Sequence, residues 1–344
     1  MRSLLKSKEA IGFAIVCLLL LVVFPASLDI FRLNTVGKYL SFALVALGIV
    51  LVWGYGGILS LGQGIFFGIG GYVMAMFLKL EASKPELPDF MVWSSTEALP
   101  WWWEPFHSFV VTVAAIIVLP TAFAFLFALV IFKKRVGGVY FAIITLALGL
   151  TLVVLLIGQQ GYTGGANGIT DFKTLLGWDT RTDGAKRVMY FACSAFVILG
   201  VVLCTLVIKS RLGKILIAIR DREDRVRFSG YDTAMFKAFV FAVGALFAAL
   251  GGAFFTLQVG LITPQTVGAV SSIEMVIYAA VGGRTSVVGA VFGALLVGFG
   301  KTYFSENFAT MWLYLIGGLF IFVVLVLPNG LAGLADRIRL KREA

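Results

Sequence analysis

The sequence predicts an all-α polytopic membrane protein of about ten transmembrane helices, some of them short or broken by glycine. Three observations predict it. Of the 344 residues, 60% are hydrophobic and only 13% charged, whereas soluble domains carry about 25% charged residues. The apolar residues gather in runs of the length a bilayer core requires, about 20 residues. Of the 28 Lys and Arg residues, 19 fall in alternate connections between those runs, the bias that sets cytoplasmic loops apart.

The runs lie at 11–28, 38–53, 56–78, 108–132, 137–157, 188–208, 238–259, 267–282, 286–300 and 311–327. The cytoplasmic segments would hold Arg2, Lys6 and Lys8, then Lys133-Lys134-Arg135, the eight bases of 209–237, Arg284 and the C-terminal bases. Segment 79–107, with five acids against two lysines, would lie outside. Both termini then face the cytoplasm, and residues 1–344 form one transmembrane domain. The first run follows a basic N-terminus as in a signal peptide, but no small-residue cleavage site follows Phe24-Pro25-Ala26-Ser27, so we expect it to be a span. The net charge of +10 sits at the ends of spans, which points to a lipid bilayer and away from nucleic acid.

Several motifs lead nowhere. Gly300-Lys301-Thr302 lacks the first glycine of a phosphate loop, where Leu295 stands, and no strand precedes it. His107 has no partner at metal-ligand spacing, and Cys17, Cys193 and Cys204 lie inside apolar runs. The chain carries no ATPase motif and no cofactor signature, so it reads as a transport component rather than an enzyme.

Segment 209–237 is more informative. Asp221, Glu223 and Asp224 precede Arg225 and Arg227, an order that suits a helix dipole, with Asp221/Arg225 and Glu223/Arg227 as i,i+4 pairs. Gly230 stands where a C-terminal cap would. A short charged helix over 215–230 is expected on the cytoplasmic side, either as a solvated connector or as a docking element.

This segment, Ala218-Ile219-Arg220-Asp221 through Gly230, resembles the coupling loop of ABC importer permeases of the branched-chain amino acid and urea group. Four stretches agree in order: Trp53–Gly64, Tyr162–Ile169, Val281–Ala290 and Leu327-Pro328-Asn329-Gly330-Leu331. Within the group, Leu87-Pro88-Asp89-Phe90 and Leu99-Pro100-Trp101-Trp102-Trp103 resemble the permease of urea and short-chain amide importers. The resemblance implies a bacterial inner-membrane subunit that pairs with a second permease, two cytoplasmic ATPases and an extracytoplasmic solute-binding protein. It implies coupling through Arg220, Asp221, Glu223, Asp224 and Gly230. A branched-chain amino acid permease is the alternative, and an ion-driven carrier or channel is the reading from another class.

A path for urea needs donors and acceptors but no fixed charge. Glycine-broken spans are where backbone can line such a path, and we expect breaks in span 56–78 and in span 286–300, which reaches only about 22 Å. Gln63 reads equally as a pathway amide or as helix glue beside Gly64 and Gly68. Thr163 and Asn167 stand in an outer glycine loop, where a turn explains them better than a vestibule. Glu274 is an acid within an apolar run and so a functional candidate. Ser271-x-x-Glu274 also fits a capping box, which we take as the expectation. Trp93, Trp101–Trp103 and Trp178 suit an interfacial aromatic belt.

Overall fold

The computed structural model describes residues 2–308 (of 2–8 the backbone alone) and, beyond them, 310, 311, 314, 315, 317, 318, 321, 330 and 333. Among these, the helices of ten or more residues in chain order are α1 (Glu9–Ser27), α2 (Ile30–Tyr55), α3 (Gln63–Ser83), α4 (Phe109–Lys133), α5 (Val139–Gly158), α6 (Asp183–Lys209), α7 (Arg211–Phe228), α8 (Thr233–Val259), α9 (Ala269–Gly282) and α10 (Val287–Asn307). All but α7 and α9 are long and apolar enough to cross a membrane, which makes eight. Two-residue strands lie in the connections: β1 (Ile169–Thr170), β2 (Thr174–Leu175), β3 (Trp178–Asp179) and β4 (Leu261–Ile262).

The all-helical class is as expected, but the span list changes in three places. The second helix starts at Ile30 and takes in Asn34 and Lys38, which mark a boundary in the sequence only because they are polar. The ninth span is not short: α10 runs unbroken for 21 residues. The short element is α9, 14 residues or about 21 Å. The expected tenth span, 311–327, lies largely outside the described residues.

Helices α2, α3 and α8 form the centre. Lipid tails offer no hydrophobic drive between helices, so close packing must hold them, and small residues allow it. A Cβ added to Gly252 of α8 would stand 1.8 Å from the Phe67 carbonyl of α3, and one on Gly70 would stand 2.0 Å from that of Ala249. Rings fill what remains: Phe42 stacks on Phe67 at 5.5 Å, and Phe67 meets Phe255 at 5.3 Å. Helix α1 packs at the edge, where Val16 and Leu20 are buried and Tyr190 of α6 donates to the Leu20 carbonyl at 2.9 Å.

Two irregular stretches pack against the helices. Residues 56–62 leave α2 and reach Thr145 of α5, whose hydroxyl accepts from the Leu61 N–H at 3.2 Å. Thr145 lies six residues, or about 9 Å, inside α5. The break expected in span 56–78 therefore falls before Gln63, and α3 runs unbroken through Gly64, Gly68, Gly70 and Gly71. The second stretch, 260–268, descends from α8 to α9. Its β4 pairs antiparallel with β1, Ile169 opposite Ile262, which satisfies backbone groups that lipid could not.

Candidate functional site

At one end of the bundle, α7 lies across the turns that join its neighbours. Ser210 caps its start by accepting from the Gly213 N–H. At its end, Gly230 has φ +87° and donates to the Arg227 carbonyl at 3.0 Å, while Tyr231 N reaches Val226 O at 3.4 Å. This pair of bonds is a Schellman stop, as the glycine predicts. The helix starts earlier than expected, at Arg211, and consists of two helical pieces joined at Arg222, so Glu223 and Asp224 open the second piece, where the dipole favours acids, while Asp221 closes the first. Backbone at Arg222 (φ −152°, ψ 77°) kinks it. The kink turns Asp221 away from Arg225, and Asp221 pairs instead with Arg220 at 2.9 Å.

Arg220 also donates through Nη1 to the Gly54 carbonyl at 2.6 Å. Gly54 in turn touches the α9–α10 turn: a Cβ there would stand 1.8 Å from the Arg284 carbonyl. Tyr55 donates to the Thr285 carbonyl at 2.8 Å, and the Arg284 guanidinium lies 5.9 Å from the Trp53 ring centre. Gly330 joins the same place, because its Cβ would meet Gly283 at 2.5 Å. Four motifs that are far apart in sequence thus converge here. A cavity of about 470 Å³ opens among Trp53, Gly54, Gly57, Arg220, Asp221, Arg284 and Thr285. The fifth motif lies at the other end, where Gly168 meets the Ile262 carbonyl.

Beyond the kink, Glu223 anchors α7 to α8. It accepts from Lys237 Nζ at 2.9 Å, Thr233 at 3.0 Å and Arg227 at 3.2 Å. Burial pushes its pKa up, but the Lys237 ammonium, Thr233 and Arg227 outweigh that and hold it below the usual carboxylate range. Lys237 is buried and lies 4.6 Å from the Phe132 ring centre. Asp224 is exposed, 3.9 Å from Arg227. Of the two expected i,i+4 pairs, only Glu223/Arg227 forms.

The other candidates stand apart from this junction. Gln63 is buried, and its Oε1 has no hydrogen-bond partner among the described residues. Its neighbours Gly64 and Gly68 press on Val267, and the Gly64 N–H donates to Ser272 of α9 at 3.1 Å. Thr163 is spent locally, donating to the Leu156 and Gln159 carbonyls. Asn167 is exposed in a single 3-10 turn. The aromatic segment is exposed at Trp93, Trp101 and Trp178, while Trp103 donates to the Tyr162 carbonyl at 3.1 Å.

Glu274 is not a cap. Helix α9 starts at Ala269, five residues earlier, and Ser271 donates to the Gln265 carbonyl. Glu274 instead accepts from Lys301 of α10 through both oxygens, at 2.9 and 2.8 Å. Lys38 of α2 stands in the field of both and 5.9 Å from the Phe255 ring centre. Sequence reading passed over Lys38 as a span boundary and Lys301 as part of a failed phosphate loop.

A bundle with eight helices long and apolar enough to cross a membrane, and a charged helix laid over one end, defines a multi-pass membrane protein. The chain belongs to the family described as "Branched-chain amino acid transport system / permease component", whose model matches residues 31–324. The chain is 24% identical to the high-affinity branched-chain amino acid transport system permease protein LivM of Escherichia coli K12, covering 96% of this chain and 77% of LivM. It is 23% identical to BraD of Pseudomonas aeruginosa, over 87% and 93% of the two chains. It is also 23% identical to LivH of E. coli K12, over 85% and 91%. No solved structure matches.

Proposed function

We propose that the chain is one transmembrane subunit of an ATP-driven importer in the bacterial inner membrane, and that its cargo is a branched-chain amino acid. It would work with a second permease, two cytoplasmic ATPases and an extracytoplasmic solute-binding protein. The observation that carries the reading is the tie from Arg220 to Gly54. Through it, a push on an exposed helix reaches α2 and the α9–α10 turn together, which is what coupling ATP binding to alternating access requires. The cargo rests on the printed names of LivM, BraD and LivH.

Urea or a short-chain amide is the second reading, favoured by the Trp-rich segment 85–107. The complex isolated through a tag on this chain and reconstituted in liposomes separates the two. Uptake of labelled leucine that requires ATP and resists excess urea or acetamide is expected. Uptake of urea instead would replace the cargo reading, and uptake without ATP would remove the importer reading altogether.

A further inference from the structure

The cavity beside α7 holds one positive charge more than its own walls neutralise. Of its two guanidinium groups, that of Arg220 is spent on the Gly54 carbonyl and the Asp221 carboxylate. That of Arg284, on the α9–α10 turn, is exposed, and among the described residues no carboxylate lies within ion-pair distance of it. It lies over the Trp53 ring, 5.9 Å from its centre. An indole face steadies a guanidinium while leaving its N–H edges free for an acceptor. Thr285, exposed in the same wall, adds a hydroxyl. The volume of about 470 Å³ falls among ligand pockets, about 300–1,000 Å³, so an entering side chain fits. The surrounding chain has the same sign as the cavity, since segment 209–237 carries eight bases against four acids. The sequence beyond Gly330, which packs on Gly283, carries four bases against two acids, so its net charge opposes entry.

We propose that this cavity receives an aspartate or glutamate side chain of the cytoplasmic ATPase. The carboxylate takes two N–H groups of Arg284, the geometry that a guanidinium fork fits, and accepts from the Thr285 hydroxyl. The ATPase then holds the permease at two points, α7 and the α9–α10 turn, and its motion reaches α9 and α10 without passing through Arg220. This inference rests on the importer reading given above and names where its ATPase attaches.

Arg284→Lys turns the site into its own reporter, because a carbodiimide joins a lysine amine to a carboxylate in direct contact. In the complex isolated through a tag on this chain, Arg284→Lys should give a peptide linking residue 284 to an Asp or Glu of the ATPase, absent from Arg284→Gln treated in the same way. On the immobilised complex, Arg284→Gln should release the ATPase at least about tenfold faster than wild type, the factor that one charge-assisted hydrogen bond supplies. Arg284→Lys, which keeps the charge, should release it more slowly than Arg284→Gln. No link to the ATPase, or equal release by wild type and Arg284→Gln, overturns the inference while the importer reading stands. Equal loss in Arg284→Gln and Arg284→Lys overturns it as well, since the charge would not matter. A link to Asp336 or Glu343 would give the cavity to this chain's own C-terminal segment. Loss of bound phospholipid from Arg284→Gln with the ATPase retained would give it to a lipid headgroup. If no ATPase accompanies the wild-type chain, the importer reading fails first.

Discussion

The Arg220 guanidinium holds two partners at once, the Gly54 carbonyl at 2.6 Å and the Asp221 carboxylate at 2.9 Å. One side chain thereby connects a surface helix to the C-terminal end of α2. The carboxylate fixes the plane of the guanidinium, and the carbonyl, at the end of a helix, is a strong acceptor with no intrahelical donor.

We therefore expect Arg220→Ala to uncouple rather than unfold. A hydrogen bond to a charged donor contributes about 1.5–3 kcal/mol, so the tie should weaken by about tenfold or more, while 18 of the 19 bases in the connections expected to face the cytoplasm remain to set topology. The variant should reach the membrane in normal amounts, co-purify with less ATPase and transport little. Normal ATPase retention and normal uptake would reduce α7 to a connector.

Gly54 tests the same joint from the other side. With only 1.8 Å between its Cβ position and the Arg284 carbonyl, Gly54→Ala must push α2 away from the α9–α10 turn. Uptake should fall at least as far as in Arg220→Ala, about tenfold, since overpacking commonly costs 1–3 kcal/mol. ATP-driven uptake in liposomes is the measurement.

Glu223 gives a pH dependence with a defined sign. Its folded pKa is depressed, so its contribution is present above the unfolded value of about 4.3. That contribution is lost as pH falls through the folded value. The carboxylate is one-third exposed, which limits it to about 1–2 kcal/mol. Thermal unfolding of the purified complex from pH 7 down to pH 3 should show Glu223→Gln less stable at pH 7 and converging with wild type near the acid end. Parallel curves would show that the Lys237 contact contributes nothing.

What was legible in the sequence follows from the range of each signal. Helix stops and hydropathy act within one segment, so the α7 stop at Gly230 and the apolar helices could be read directly. Pairings between helices could not. Glu274 and Lys301 are 27 residues apart, and Ser271-x-x-Glu274 offered a local explanation that a helix start at Ala269 removes. Lys38 was hidden in the same way, because a polar residue at the edge of an apolar run looks like an end, whereas α2 runs through it and sets it 5.9 Å from the Phe255 ring centre. Gly64, Gly68, Gly70 and Gly71 suggested breaks in α3, yet their role is to admit close neighbours, backbone at Gly64 and Gly70 and the side chains of Val267 and Ile262 at Gly68 and Gly71.

The two ends of the bundle should lie on opposite sides of the membrane. Ser95, in the aromatic segment, and Ser229, at the end of α7, are both exposed. Cys193 and Cys204 are buried, so Cys17→Ser leaves a quiet background. Ser95→Cys should react with an impermeant maleimide in intact spheroplasts, and Ser229→Cys only after permeabilisation. Reaction of both from one side would break the charge-based topology.

Packing between α3 and α8 yields the last expectation, because close approach and helix propensity predict opposite signs. Alanine is a better helix former than glycine by about 1 kcal/mol, so Gly→Ala within a helix should stabilise wherever there is room. Gly184, in the first turn of α6, has nothing within 4 Å of its Cβ position, while Gly252 has the Phe67 carbonyl at 1.8 Å. A carbonyl oxygen cannot rotate away as a flexible side chain can, so α3 and α8 must separate, and the rings at Phe67 and Phe255 lose contact. Gly184→Ala should leave the melting temperature unchanged or slightly raised. Gly252→Ala should lower it by several degrees, the effect of about 1–3 kcal/mol, and reduce the yield of folded protein in detergent. Equal melting temperatures for the two variants would mean that α3 and α8 do not approach this closely, and that the helices at the centre are held by their rings alone.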